Sequence, residues 1–159
     1  MMRSLAVTLL LVFMPTACST VPTADASPAV PQQGASCPAE FDGALTRLAD
    51  RTLLACHDGK WAVDTEVYPS SERWVSYGPA LTVYGQGRRN PEVLAGNWVG
   101  TPQGEDARCS AEQAVVVSAG VIGPPSTVTA EPNSPLKLTL PTPLFTVGLS
   151  GFCLWERDA

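Results

Sequence analysis

Much of the chain after residue 50 is written in alternation. Trp61, Val63, Thr65 and Val67 interleave with Ala62, Asp64 and Glu66, so residues 60–67 predict a strand with one wet face. Residues 52–56 form a second strand, and His57-Asp58-Gly59 between the two carries the Asp-Gly pair of a tight hairpin. Further strands are expected at Ala80–Tyr84, Asn97–Val99 and Gln113–Ala119, with the glycine-rich turn Gly85-Gln86-Gly87 closing the first of them. Toward the end Leu136, Leu138 and Leu140 point one way, and Lys137 and Thr139 the other. Phe145, Val147 and Leu149 then alternate with Leu144, Thr146 and Gly148, and Gly151–Glu156 closes the chain. Prolines 124, 125, 132, 135, 141 and 143 fall between these runs, as proline in sheets must. One helix is expected: Phe41, Leu45 and Leu48 stand at i, i+4 and i+7, with Glu40 and Asp42 early and Arg47 and Arg51 late, which suits the helix dipole. The expected fold is mainly β, an antiparallel β-sandwich or barrel-like domain with one short N-terminal helix.

A different pattern occupies the first 36 residues. Arg3 is followed by ten apolar or small residues, Leu5 to Met14, too few to cross a bilayer core as a helix, which takes about 20. The layout is that of an export signal. Two processing sites follow. Pro15-Thr16-Ala17-Cys18 sets a small residue directly before a cysteine and resembles the lipobox of bacterial lipoproteins, with Pro15 where that family has leucine. The resemblance implies a signal peptide over 1–17 and diacylglycerol and palmitate on Cys18, as the new N-terminus. Ala24-Asp25-Ala26 is the rival, an A-x-A site that releases a soluble, secreted protein beginning at Ser27. It lies far beyond the apolar run, so the lipobox reading is preferred. Residues 18–36 hold three prolines and a single charge and read as a lipid-anchored Pro/Ala/Ser tether, about 60 Å long if fully extended. The folded domain is expected over 37–159.

Cysteine usage agrees with export. Setting Cys18 aside leaves Cys37, Cys56, Cys109 and Cys153, which in an oxidising compartment read as two disulfides. Of three possible pairings, Cys37–Cys56 and Cys109–Cys153 each bracket a locally closed unit and are the expected ones. Codon bias adds a trace of origin: eight arginines against two lysines, one isoleucine (Ile122) and three asparagines suit a GC-rich genome. With the lipobox-like leader, the chain resembles small cell-envelope lipoproteins of actinobacteria, mycobacteria in particular. Gly96–Gly100 and Gly151–Trp155 resemble uncharacterised members of that group. The resemblance implies an address, the extracytoplasmic face of the cell membrane, and names no reaction.

Charge narrows the function classes. Ten Lys and Arg against fifteen Asp and Glu give a net charge of −5, with no basic cluster beyond Arg88-Arg89, so nucleic acid is not an expected partner. A single histidine and no C-x-x-C spacing leave no usual metal set, and no cofactor motif is present. His57-Asp58 lacks a nucleophile elbow and reads as a polar hairpin tip. Asp64, Glu66 and Glu72 lie near Trp61 and Trp74 and are candidates for a paired-carboxylate hydrolase site, but Asp64 and Glu66 fall on the expected solvent face of one strand, and a solvated face is the preferred reading. Trp74, Tyr77 and Tyr84 flank turn-like segments and are the candidate rings for stacking on a glycan or an apolar ligand. Arg88 and Arg89 on a loop tip are candidates for contact with an acidic partner, or solvated charges countering Glu92. The expected function is a non-enzymatic envelope module, held at the membrane by its lipid anchor, that binds an envelope protein or glycan.

Overall fold

The structure is a computed structural model and describes residues 29–158. The leader, Cys18 and the rival site at Ala24–Ala26 lie outside the described residues. A single-turn 3-10 helix, Ala39–Phe41, precedes ten strands: β1 (Leu45–Arg47), β2 (Leu53–His57), β3 (Lys60–Val63), β4 (Arg73–Tyr84), β5 (Gly96–Pro102), β6 (Ser110–Ser118), β7 (Val121–Ile122), β8 (Ser126–Thr129), β9 (Leu136–Leu140) and β10 (Leu144–Arg157). The sheet runs β3-β2-β1-β4-β10-β5-β9, with β6 branching from β10 and carrying β7 and β8 on its outer edge. The protein is therefore mainly β, as its alternation predicts. The sheet is mixed, because β1 lies parallel to β4, and it does not close into a barrel.

The spine is β10. One edge pairs with β4 from Thr146↔Tyr84 to Glu156↔Arg73. The other edge is divided: β6 takes Leu144 to Ser150 and β5 takes Cys153 to Arg157. The handover falls at Gly151, whose φ of 87° is a left-handed conformation, and where a Cβ would collide with the Arg108 carbonyl. A register shift at the same place skips Pro79 of β4, so its missing N–H leaves no gap in the ladder. The strand expected over Ala80–Tyr84 therefore begins earlier, at Arg73, with Pro79 inside it. Where β5 crosses the spine, Gly100 stands opposite Trp155, and the indole occupies the space a side chain would fill.

Both faces of the sheet are packed, which is why Leu53, Leu54, Ala55 and Cys56 of β2 are all buried. On one face Leu53, Ala55, Trp74, Val83, Trp98, Val147 and Trp155 join the larger core. On the other, Leu54, Cys56, Trp61, Val75 and Leu154 meet Phe41 and Cys37. The helix expected through Phe41, Leu45 and Leu48 reduces to the single turn ending at Phe41. Gly43 adopts φ 74° and turns the chain, so Phe41 enters the smaller core while Leu45 pairs with Ala55 and joins the larger. The helical spacing of those residues reflects two faces of one sheet. Asp58 (φ 50°) and Gly59 (φ 72°) form the two-residue turn between β2 and β3, as expected of Asp-Gly.

The disulfides are Cys37–Cys56 and Cys109–Cys153, with Cα separations of 6.1 and 5.9 Å. The first ties the N-terminal turn to β2; the second ties the entry of β6 to β10 beside the handover. Residues 29–36 belong to the folded unit and not to a free tether. Gly34 N–H donates to the Trp61 carbonyl (2.7 Å), Ser36 bridges Lys60, and Pro31 is buried. Among the described residues no helix is long and apolar enough to cross a membrane.

Candidate functional site

The most developed concavity comes from an incomplete strand pair. β1 and β4 run parallel but share only Leu45↔Trp74; past that point no strand among the described residues pairs with the edge of β4 facing β1. Side chains take over the backbone groups there. Thr46 Oγ1 donates to the Val75 carbonyl and Arg47 Nη1 to the Thr82 carbonyl, each at 2.8 Å. Arg47 is held in turn by Glu92, on the loop after β4, whose carboxylate also accepts the Tyr84 N–H at 3.0 Å. Glu92 is 7% exposed, and its carboxylate is matched by the guanidinium and hydrogen-bonded by the amide. The splayed strands leave an open groove of about 580 Å³. Tyr77 and Tyr84 stand on its walls, Arg51 at its rim, and Val30 and Pro31 of the N-terminal segment line it as well.

The three candidate rings do not share a platform. Trp74 is fully buried, its indole N–H donating to the Ser71 carbonyl at 3.2 Å. Alternation along β4 sends Trp74 into the larger core and Tyr77, three residues on, to the opposite face. There Tyr77 stacks on Phe152 with centroids 5.1 Å apart and meets Phe41 and Trp61 edge-on. Burial pushes its phenol well above the ordinary tyrosine range. Tyr84 carries the Arg88 guanidinium 3.9 Å over its ring, with Phe145 flanking the same cation at 5.2 Å. A glycan would therefore meet Tyr77 and Tyr84 through the groove, without Trp74.

The charged candidates are also redistributed. Glu92 pairs with Arg47, not with Arg88 or Arg89; Arg88 packs on Tyr84, and Arg89 is exposed on the loop. β3 stops at Val63 and does not run to residue 67: Asp64 follows it and accepts the Glu66 N–H at 2.8 Å, so Asp64 and Glu66 sit in a turn and not on a strand face, and Glu72 pairs with Arg157 at 2.7 Å. His57 and Asp58 are exposed at the hairpin tip. The Arg47–Glu92 pair was missed because its partners lie 45 residues apart and Arg47 reads locally as a helix C-terminal cation. No pattern in the sequence marks it.

Fold and groove define a class: a disulfide-tied, mainly-β domain with a cleft between two splayed parallel strands. Beyond that class, the chain matches no family model, no curated protein and no solved structure.

Proposed function

We propose that this chain is an exported envelope lipoprotein of actinobacterial type, anchored through Cys18, whose β domain binds an envelope partner without turning it over. One observation carries the reading: all four cysteines of the domain are paired as Cys37–Cys56 and Cys109–Cys153, an arrangement suited to an oxidising compartment. The lipobox-like leader supplies the address, and the groove between β1 and β4 supplies a place for the partner. The groove also supports a second reading, a glycan or small apolar ligand held between Tyr77 and Tyr84.

The intact mass of protein extracted from producing cells, with and without reduction and alkylation, tests the address. An acylated species beginning at Cys18, with four cysteines alkylated only after reduction, is the expected result. A lipid-free species beginning at Ser27 makes the protein a secreted factor instead. For the groove, a photo-crosslinking residue at Ala49 should yield a discrete adduct in whole cells that the same residue at the exposed Val67 does not. Equal labelling from both positions removes the groove as the binding site.

A further inference from the structure

A second surface lies away from the groove, on the arm formed by β6, β7 and β8. From Gln113 through Ala130 the chain runs for 18 residues without a charge, bounded by Glu112 and Glu131. In the fold this run is a hairpin. β6 turns at Ala119-Gly120, with Gly120 at φ 75°, and returns as β7 and β8, both of which pair with β6 alone.

Four large apolar side chains are exposed on it: Val117 (60%), Val121 (50%), Ile122 (46%) and Val128 (41%). They do not form one flat face. Val128 stands opposite Ala111, at the base of the arm on the core side of β6; nearer the tip, Val117 lies with Val115 against Gly123 on that same side. Ile122 pairs with Val116, which alternation puts on the other side of the arm. The tip is thus apolar on both faces.

We propose that this hairpin tip enters the interfacial region of a phospholipid bilayer. Its shape decides against a protein partner, since a tip apolar on two sides suits a fluid medium that surrounds it. Its size points the same way. Four partly exposed aliphatic side chains fall well short of the about 800 Å² per partner that a stable protein interface buries. The outer edge is suited to lipid as well, because Pro124 and Pro125 interrupt β7 and β8 and remove two N–H donors that would otherwise need water. With no charge in the run, insertion desolvates no ion and needs no anionic lipid. The contact does not require the acyl anchor, although an anchor would raise the local concentration of bilayer.

The test is fluorescence of the full mature chain carrying Val121→Trp, in phosphatidylcholine vesicles with and without phosphatidylglycerol. Trp61, Trp74, Trp98 and Trp155 are all buried and supply a constant background, and Val67→Trp is the exposed control. Acyl-chain-brominated lipid should quench Val121→Trp at least twofold more than Val67→Trp, equally in both lipid mixtures and at high salt. Adding Ile122→Asp should abolish the difference while leaving the circular dichroism spectrum unchanged. If isolated protein carries no lipid, the same measurement with excess vesicles decides the tip alone. Equal quenching at both positions overturns the proposal, and so does quenching that needs anionic lipid, which would transfer the contact to the loop cations Arg88 and Arg89. A concentration-dependent blue shift without vesicles assigns the tip to a second copy of the chain.

Discussion

Of the salt bridges among the described residues, Arg47–Glu92 is the most buried, with side chains 19% and 9% exposed. Each partner also holds a backbone group at the groove: the Thr82 carbonyl for Arg47, the Tyr84 N–H for Glu92. Glu92→Gln leaves the guanidinium without its counter-charge and should cost about 3 kcal/mol in urea-induced unfolding. The double change Arg47→Met with Glu92→Leu should recover most of that loss, because two apolar groups carry no desolvation penalty. A recovery below half would show that the backbone hydrogen bonds outweigh the charge. Tyr77 makes a separate prediction at high pH. Its phenol resists ionisation in the fold, whereas the unfolded chain releases the same proton near pH 10. The unfolded state therefore binds fewer protons above that pH, and stability should fall as pH rises through and beyond about 10. Tyr77→Phe should flatten the decline, read as thermal midpoints between pH 8 and pH 11.

Among the elements, β10 decides the architecture, and it does so through glycine. Its 14 residues serve three neighbours because Gly151 permits the change of register and Gly100 of β5 leaves room for the Trp155 ring. A Cβ at residue 100 would lie 2.5 Å from that ring, and Trp155 is fully buried with its N–H donated to Ser76 Oγ at 2.9 Å. Gly100→Ala should therefore destabilise the protein by about 2–3 kcal/mol, measured by equilibrium denaturation, and alter the near-ultraviolet dichroism of the indole. An unchanged midpoint would mean that β5 shifts freely on the spine. Strand content was legible at β9, where alternation marks a buried face, and at the Asp-Gly hairpin of β2 and β3, but the alternation expected to run to Val67 stops at Val63, and Val63 and Val67 are exposed because only Trp61 of that face reaches the core. It was not legible at β1, where Leu45 and Leu48 imitate a helix period, nor at β8, whose four exposed positions carry no buried face to read. The first half of β4 was not legible either, since only Ala80–Tyr84 was expected: proline breaks a strand only where its missing N–H was needed, and the register shift opposite Pro79 removes that need.

At the scale of the whole molecule, the two disulfides act on different halves. Cys37–Cys56 closes a short span of 19 residues around the smaller core, and Cys109–Cys153 a span of 44 that ties β6 to the spine. On the loop-entropy model these closures contribute about 3 and about 4 kcal/mol. Reduction should therefore lower the thermal midpoint by well over 10 °C, and Cys109→Ser with Cys153→Ser should cost more than the corresponding change at Cys37 and Cys56. The reverse order would place the more strained native geometry in the second bridge. Both pairings were readable from spacing, because each brackets a unit that folds back on itself locally. The mainly-β class was equally readable, since period-two alternation is a property of neighbours in sequence. What tertiary structure alone decided is everything that depends on distant partners. It buried Trp74 while turning Tyr77 to the opposite face, drew Glu92 away from its neighbours Arg88 and Arg89 to Arg47, and opened a groove where two parallel strands part after one residue pair. A side chain's type and its near neighbours set which face it can occupy, but which groups lie across from that face is settled only when the sheet has closed on its core.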